Sequence, residues 1–259
     1  MIKKYKISVP KSTLNEIYKK VRNFPWSAAQ NMNGWEYGTN LNYLKNISKY
    51  WITKYNWKKF ENKINSFKNY KTKVEDINLH FIFEKSKNPN SKPLLLLHGW
   101  PGSITEFLDI IPRLAHPEKF GGKIEDGFDI IVPSLPGFGF SSQIKKALGP
   151  RKIGKILNKF MVKNLGYKNY FVQGGDWGAT IAGWIGLDSS KNCKGIHINC
   201  LPLRHPKGTK NIKEKKWEKK FNFDQIMQEG YRTQQATKPQ TLSYAMIDSP
   251  VGTAAWILT

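Results

Sequence analysis

The sequence predicts an α/β fold, with a mostly parallel sheet that is covered by helices on both faces. Residues 94–97 form a short, continuous apolar run, as in a parallel strand that is buried on both faces, and three further strands are predicted downstream. Stretches with helical apolar spacing separate these strands, and such alternation is typical of parallel sheets. A chain of 259 residues is also long enough to bury a sizeable core.

The N-terminal part of the chain differs from this alternating region. Short helical patterns and clustered aromatic residues make up residues 1–70, and the stretch 41–60 carries apolar side chains at helical spacing. We interpret most of these aromatic side chains as packing against another layer. Residues 77–83 alternate between apolar and polar, which predicts a half-buried strand.

The alternating region starts at Pro93. Its predicted strands are residues 94–97, 128–132, 170–173 and 195–199, and its predicted helices are residues 104–114, 153–165 and 179–187. Ser103 is a candidate N-cap of the first helix, with Glu106 three residues later, and Gly166 is a candidate stop of the second. Because chemistry in such sheets takes place at the carboxyl ends of strands, the loops after the first and third predicted strands form the candidate site.

The net charge of +23 raises the question of a nucleic-acid or anionic-membrane partner. Only five of the 42 basic residues are arginines, namely Arg22, Arg113, Arg151, Arg204 and Arg232. Proteins that read nucleic acids favour arginine for its bidentate geometry. Lysine is instead spread along the chain, with its densest run at residues 207–220. We therefore expect a lysine-rich, solvated surface and no nucleic-acid partner.

Cysteine usage and hydropathy indicate the compartment. Cys193 and Cys200 fit neither a disulfide framework nor a metal site. The first residues are positively charged but have no apolar stretch behind them, so they do not resemble a secretory signal. No run approaches the about 18 to 20 uninterrupted apolar residues that a membrane helix needs. We expect a cytoplasmic protein with no integral membrane segment, no cofactor and no metal.

Residues 173–178 read Gln-Gly-Gly-Asp-Trp-Gly, between a predicted strand and a predicted helix. Asp176 could simply cap that helix, since aspartate is a favoured N-cap. However, Gly174 lies two residues before Asp176 and Gly178 lies two residues after it, which is the arrangement of a nucleophile elbow. Small residues there let a strand turn sharply into a helix, and the helix N-terminus adds unpaired N–H groups and a positive potential. We therefore favour Asp176 as a nucleophile.

The other candidate loop reads Leu-His-Gly-Trp-Pro-Gly-Ser at residues 97–103. It follows a buried strand, at the position where an elbow enzyme needs a loop that donates a backbone N–H. The N–H groups of Trp100 and Trp177 would form an oxyanion hole if they converged on an oxygen that becomes negative in the transition state. The loop lacks the glycine and lysine pattern of a phosphate-binding loop. We predict that His98 is a hydrogen-bonding residue of the turn and not a catalytic base.

Together, these motifs resemble those of the α/β-hydrolase-fold epoxide hydrolases, and most closely those of the microsomal and juvenile-hormone type. The core motifs that carry the resemblance are His98–Ser103 followed by Glu106-Phe107, then Pro133–Ser141, then Gly174–Gly178. Outside the core, residues 35–38 and 50–61 resemble the N-terminal meander of that group, and residues 235–241 and 248–252 resemble its lid.

The resemblance implies three parts. Residues 1–90 would form the N-terminal meander, residues 91–204 the first part of the α/β-hydrolase core, and residues 205–259 the start of the helical lid or cap. The C-terminal part of the core is expected to be missing.

An aspartate nucleophile points to substitution at a saturated carbon. A carboxylate is already ionised at neutral pH, and the ester that it forms can be cleaved by water, whereas serine would leave an inert ether. The predicted function is hydrolysis of an epoxide to a vicinal diol through a covalent hydroxyalkyl ester on Asp176. In the resembled family, two lid tyrosines hydrogen-bond the epoxide oxygen, and Tyr231 matches the first of them; alternatively, Tyr231 only packs on the core. The expected partners are water and a small hydrophobic epoxide.

The resemblance also implies a histidine base and an orienting carboxylate, which the family carries after the lid. None of the five histidines lies at the family position; they are His80, His98, His116, His197 and His205. After the fourth strand, where an alternative carboxylate could stand, the sequence has Asn199. We therefore expect a C-terminally truncated enzyme that is alkylated at Asp176 but turns over poorly or not at all.

Two other functions remain open at this point. A haloalkane dehalogenase also uses an elbow aspartate and binds halide through tryptophan or asparagine N–H groups; Trp100 and Trp177 would suit it, but Tyr231 and the meander would not. A catalytically inactive, basic binding protein could also retain the scaffold. Halide release would identify the first alternative, and salt-dependent retention of nucleic acid would identify the second.

Overall fold

The computed structural model describes residues 1–30, 32, 34–200 and 211–259. The chain divides into two compact units. The first unit contains Met1–Ser8 and Trp57–Pro202, and the second contains Val9–Asn56 and Leu203–Thr259.

The strands are β1 (Ile2–Lys4), β2 (Asn69–Val74), β3 (Ile77–Glu84), β4 (Lys92–Leu97), β5 (Phe128–Pro133), β6 (Tyr170–Gly174) and β7 (Cys193–Ile198). The α-helices of the described residues are α1 (Lys11–Arg22), α2 (Leu41–Thr53), α3 (Trp57–Asn65), α4 (Ile111–Ala115), α5 (Pro150–Lys159), α6 (Trp177–Asp188), α7 (Ile212–Gln228), α8 (Gly230–Thr237), α9 (Pro239–Asp248) and α10 (Pro250–Leu258).

The first unit is built on a sheet with the strand order β1-β2-β3-β5-β4-β6-β7. Strands β5, β4, β6 and β7 run parallel to one another, and β1, β2 and β3 add antiparallel pairs beyond β5. Strand β4 lies between β5 and β6, and its residues Leu95, Leu96 and Leu97 are all buried. Since β4 and β6 are parallel neighbours, the loops that follow them emerge side by side.

Helices cover both faces of this sheet, as predicted. On one face, Ile156 of α5 and Ile181 of α6 join a core cluster with Leu95 and Leu97. On the other face, Ile64 of α3 and Ile111 of α4 join a cluster that includes Leu96. Successive residues of β4 thus enter different cores, because strand side chains alternate between faces.

The predicted elements of the alternating region agree with the structure except in one helix. Each of the four predicted strands overlaps an observed strand, and the elements 153–165 and 179–187 are helical. The single helix predicted for residues 104–114 is wrong, because Ile104–Phe107 forms a 3₁₀ turn and α4 begins only at Ile111. Pro112 has no N–H to donate to a preceding carbonyl, so a continuous α-helical ladder cannot run through this segment.

The helical spacing of residues 41–60 is confirmed, since they lie in α2 and α3 with a break at residues 54–56. One prediction for the N-terminal part needs correction. The strand predicted for residues 77–83 exists as β3, but Leu79, His80, Phe81 and Ile82 are all buried, so it is not half-buried. It is covered on both faces because Phe81 enters one core cluster and Ile82 enters the other.

The second unit is helical in its described part. Val21 of α1, Leu44 of α2 and Val251 of α10 form its buried cluster. An ion pair of 2.8 Å joins Lys20 to Asp248 at the ends of α1 and α9. Among the described residues, no helix has both the length and the apolar character needed to cross a bilayer.

Candidate active site

The turn between β6 and α6 holds Asp176 in an unusual backbone conformation. Its φ is +49° and its ψ is −124°, a region that L-residues seldom occupy and that carries strain. The side chain is exposed at the end of the strand. A sharp, strained strand-to-helix turn of this kind is the backbone geometry of a nucleophile elbow.

The flanking glycines are required by close contacts between backbone segments. A Cβ on Gly174 would overlap the carbonyl oxygen of Gly178, and a Cβ on Gly178 would overlap the carbonyl oxygen of Leu97. Gly99 is restricted by a side chain, because its Cβ would overlap the carboxylate of Asp176. The sequence pattern of small residues at minus two and plus two thus has a direct steric cause.

Asp176 does not cap α6 with its side chain, although it stands at the N-cap position. Its Oδ1 instead accepts a hydrogen bond of 2.9 Å from the backbone N–H of Trp100. The loop after β4 and the turn after β6 therefore meet at the carboxylate. The capping interpretation of Asp176 is wrong, since the carboxylate is directed across the sheet edge and away from its own helix.

Of the four residues predicted for the site, three lie in the first unit. Trp100 is in contact with Asp176, and Trp177 is the first residue of α6, with about half of its surface exposed. Tyr231 lies in the second unit, near the start of α8, and is also about half exposed. The roles assigned to these residues remain predictions.

His98 is fully buried, and both of its ring nitrogens have partners. Nδ1 lies 2.9 Å from the carbonyl oxygen of Gly99 and must carry the proton, because a carbonyl only accepts. Nε2 then accepts the N–H of Leu135 at 3.1 Å. Burial lowers the pKa of His98, while the Gly99 carbonyl and the Asp176 carboxylate act in the opposite direction. The neutral ring is thus a structural link between two loops, as predicted.

Within the described residues, no hydrogen bond joins His80, His116 or His197 to the Asp176 carboxylate. His80 is buried, with hydrogen bonds to Ser134 and Asn69. His116 is bonded to Glu84, and His197 lines a cavity at β7. His205 lies outside the described residues.

Glu106 is a residue whose place at the site the sequence did not reveal. Its carboxylate occupies the space that a side chain at Gly102 would need. Loss of hydration raises the pKa of Glu106, the hydrogen bond from the Ser103 backbone lowers it, and the nearby carboxylate of Asp176 raises it. The Ser103 side chain accepts the N–H of Thr105, so the predicted cap of this turn is present. The capping pattern identified Glu106 as a cap partner, but only the fold brings a second carboxyl group towards Asp176.

A largely apolar cavity of about 800 Å³ lies along β4, β6 and β7 in the first unit, and neither Asp176 nor Trp100 lines it. Its polar side chains are those of Lys92, Glu106, Gln173, His197 and Asn199. The Oε1 atom of Gln173 is buried and has no hydrogen-bond partner within the described part of the chain. Asn199 approaches the elbow closely, since a Cβ on Gly175 would lie 2.6 Å from its Oδ1. The sequence named these residues separately, but nothing in their local sequence indicates that strand ends bring them together.

Comparison with known protein families identifies the type of site. Residues 92–245 match the family described as the alpha/beta hydrolase fold, and residues 2–107 match the family described as the epoxide hydrolase N terminus. The chain belongs to the α/β-hydrolase-fold epoxide hydrolase family. The resemblance predicted from the elbow and loop motifs is thereby confirmed.

Individual relatives of this epoxide hydrolase family agree. The chain is 34% identical over 280 residues to Epoxide hydrolase 1 of Oryctolagus cuniculus, which covers 99% of the chain and 61% of that protein. It is 34% identical over 278 residues to Juvenile hormone epoxide hydrolase 1 of Ctenocephalides felis, with 99% of the chain and 59% of that protein covered. The chain thus spans about three fifths of the length of these curated relatives.

Solved structures of epoxide hydrolases share the fold over almost the whole chain. The juvenile hormone epoxide hydrolase of Bombyx mori superposes with a TM-score of 0.87 at 30% identity, covering 99% of this chain and 65% of that one. The Aspergillus niger epoxide hydrolase gives a TM-score of 0.86 at 27% identity, with 99% and 68% covered.

Proposed function

We propose that this chain carries the first half-reaction of an epoxide hydrolase, in which Asp176 is alkylated by a hydrophobic epoxide. The observation that carries the proposal is the orientation of the Asp176 carboxylate, which is exposed on a strained turn and held by the N–H of Trp100 and not by its own helix. The names of the curated relatives support the same reaction class.

In the proposed step, an Asp176 oxygen attacks one carbon of the epoxide ring and forms an ester bond. The carbon–oxygen bond of the ring breaks, and its electron pair goes to the epoxide oxygen. Tyr231 is proposed to hydrogen-bond that oxygen and to supply the proton that makes it a hydroxyl group. The product is a hydroxyalkyl ester on Asp176.

Completion of the reaction requires water to attack the ester carbonyl, which releases the diol and restores the carboxylate. The developing negative charge on the carbonyl oxygen would be stabilised by the N–H groups of Trp100 and Trp177. This step also needs a base for the water, and the ring nitrogens of His98 are both engaged in hydrogen bonds. We therefore propose that the 259-residue chain accumulates the ester. A cytoplasmic location likewise stays a prediction.

The experiment is intact-protein mass spectrometry after incubation with styrene oxide, with Asp176→Asn as the control. We expect a persistent adduct of one substrate mass that maps to Asp176 and is absent in the variant. Two results would contradict the proposal: a folded chain that forms no adduct, or an adduct of equal yield in Asp176→Asn. Steady production of diol would contradict only the accumulation of the ester. Halide release from a bromoalkane would point to dehalogenation instead.

A further inference from the structure

A second cavity, of about 380 Å³, lies in the first unit and involves neither the elbow nor its donor loop. The cavity is lined by residues of β1, β2 and β3 and of the loop after β5. The side chains that matter here are Lys3, Lys71, Lys73, Asn78, Phe140 and Ser142. The proposed epoxide chemistry makes no use of this cavity.

Basic side chains lie opposite one another at this cavity. Lys3 of β1 faces Lys71 of β2, and Lys71 faces His80 of β3. Directly opposite residues share a face of the sheet, and like charges at such positions are destabilising. Within the described part of the chain, Lys3, Lys71 and Lys73 form no salt bridge. The cavity therefore concentrates positive charge that the described residues do not neutralise.

Lys71 is held in place by an aromatic ring. Its Nζ lies 3.9 Å from the centroid of the Tyr5 ring, a cation–π arrangement. Tyr5 in turn contacts the rings of His80 and Phe140. Burial, and then the charge of Lys71, lower the pKa of His80 to about 3. His80 is therefore neutral at physiological pH, and the lysines supply the charge of the cavity.

Hydrogen-bond donors complete the cavity wall. The Oγ of Ser142 accepts the backbone N–H of Asn78 at 3.1 Å, and the N–H of Ser142 donates to the carbonyl of Asn78 at 3.0 Å. This double link fixes the loop on β3 and leaves the Ser142 hydroxyl proton available to donate. Ammonium groups together with a hydroxyl donor match the needs of a phosphate group, for which lysine acts as a point charge.

We propose that this cavity binds a phosphate group between Lys3, Lys71 and Lys73, either as the free anion or as part of a small phosphorylated molecule. Bound phosphate would offset the repulsion between the facing lysines. It would accordingly stabilise the first unit, since a ligand that binds only the folded state raises its stability. The site is separate from Asp176, so this proposal does not depend on the proposed function.

The test is calorimetric titration of the full 259-residue chain with inorganic phosphate and with pyrophosphate, against sodium chloride at matched ionic strength. We expect saturable binding of one equivalent, weakened at least about tenfold in the double variant Lys3→Gln/Lys73→Gln. Lys168→Gln removes an exposed lysine outside the cavity and should leave the affinity unchanged. Binding of both anions would indicate a monophosphate site, and binding of pyrophosphate alone would indicate a diphosphate site.

Thermal unfolding provides a second test. It compares the unfolding temperatures of the variants, and it does not depend on measurable heat of binding. In phosphate-free buffer, Lys3→Gln should unfold at a higher temperature than the unchanged chain, because it removes a repulsion. It should also lose most of the stabilisation that the bound anion gives. The proposal is overturned if the unchanged chain shows no saturable binding, if chloride has the same effect, or if Lys168→Gln weakens binding as much as the double variant.

Discussion

The backbone N–H of Trp100 donates a hydrogen bond of 2.9 Å to Oδ1 of Asp176. The donor follows β4 and the acceptor follows β6, so the bond joins the ends of two parallel neighbours in the sheet. The group proposed to stabilise an oxyanion on the ester is thus already in contact with the carboxylate that would form that ester. Little reorganisation would be needed between nucleophilic attack and the hydrolytic step.

Gly99→Ala should slow alkylation. The added methyl group would overlap the carboxylate of Asp176 and lie 2.5 Å from its Cβ, so the carboxylate must rotate and the elbow backbone must shift with it. We expect the rate of adduct formation with styrene oxide to fall at least about tenfold, since a small misplacement of a reacting group is costly. Time-resolved intact mass measures the rate, and thermal unfolding checks that the fold is kept. Unchanged alkylation would show that the position of the carboxylate does not matter.

Gly178→Ala should instead act on stability. The added methyl group would overlap the carbonyl oxygen of Leu97, which belongs to the backbone of β4 and cannot turn away. We expect the free energy of unfolding to fall by about 1 to 3 kcal/mol in urea denaturation. Gly183→Ala is the matched control in the same helix, because its methyl group would enter open space. That control should gain about 0.5 to 1 kcal/mol, and equal stabilities of the two variants would contradict the steric argument.

Asp176→Gly should be more stable than Asp176→Ala. The backbone at this position has a φ of +49°, which glycine adopts without strain and alanine does not. We expect a difference of about 1 kcal/mol, the lower end of the strain that such positions carry. Both variants remove the carboxylate, so activity does not complicate the comparison. At Gly183 the same pair of residues should show the opposite order; the same order at both positions would mean that the elbow is unstrained.

Glu106→Gln should stabilise the protein at neutral pH. Loss of hydration and the charge of Asp176 hold the pKa of Glu106 above its ordinary value of 4.5, despite the opposing hydrogen bond from Ser103. The carboxyl group of Glu106 therefore binds its proton more tightly in the folded state than in the unfolded state. The contribution of Glu106 to stability therefore falls as pH rises from about 4.5 through the raised pKa.

Urea denaturation at several pH values measures this effect. The variant should be more stable than the unchanged chain at pH 7, and the difference should disappear below pH 4, where both states hold the proton. Asp176→Asn should lower the pKa of Glu106. The pH range over which Glu106 loses its contribution to stability should then move to lower pH. A stability difference that does not depend on pH would show that Glu106 acts through its shape alone.

Tyr231→Phe should slow alkylation of Asp176 about 100-fold, because loss of a positioned proton donor typically costs that much. Tyr244→Phe is the matched control: its hydroxyl group accepts a hydrogen bond from Gln240, and the side chain is exposed on α9. Both tyrosines lie in the second unit, and neither substitution empties a core. Equal rates of adduct formation in the two variants would remove Tyr231 from the proposed mechanism.

The sequence predicted the parts of this molecule that depend on local chemistry. Residues 94–97 are a continuous apolar run followed by a glycine and proline turn, which is consistent with a buried strand of a parallel sheet. Gly174 and Gly178 predicted the elbow because the sharp turn leaves no space for a side chain. The sequence predicted that the loops with Trp100 and Asp176 lie at the carboxyl ends of strands, and the structure joins these two residues by a hydrogen bond.

Features that arise from tertiary placement could not be predicted in this way. Glu106 forms the cap that its spacing indicates, yet its carboxyl group also senses Asp176, which lies 70 residues along the chain. The burial of His80 depends on layers contributed by distant segments, and the strand pattern alone predicted exposure on one side. The cavity with Lys3, Lys71 and Lys73 needed the register of β1 on β2, which no local pattern determines.

The bond between residues 100 and 176 spans 76 positions of the chain. It can form only after the crossover between β4 and β6 is complete and the two strands are in register. An unfolded chain has the same carboxylate but not the strained turn or the N–H beside it. A reactive epoxide would therefore serve as an active-site titrant for this protein, and the fraction that becomes labelled would count the molecules that have reached the native topology.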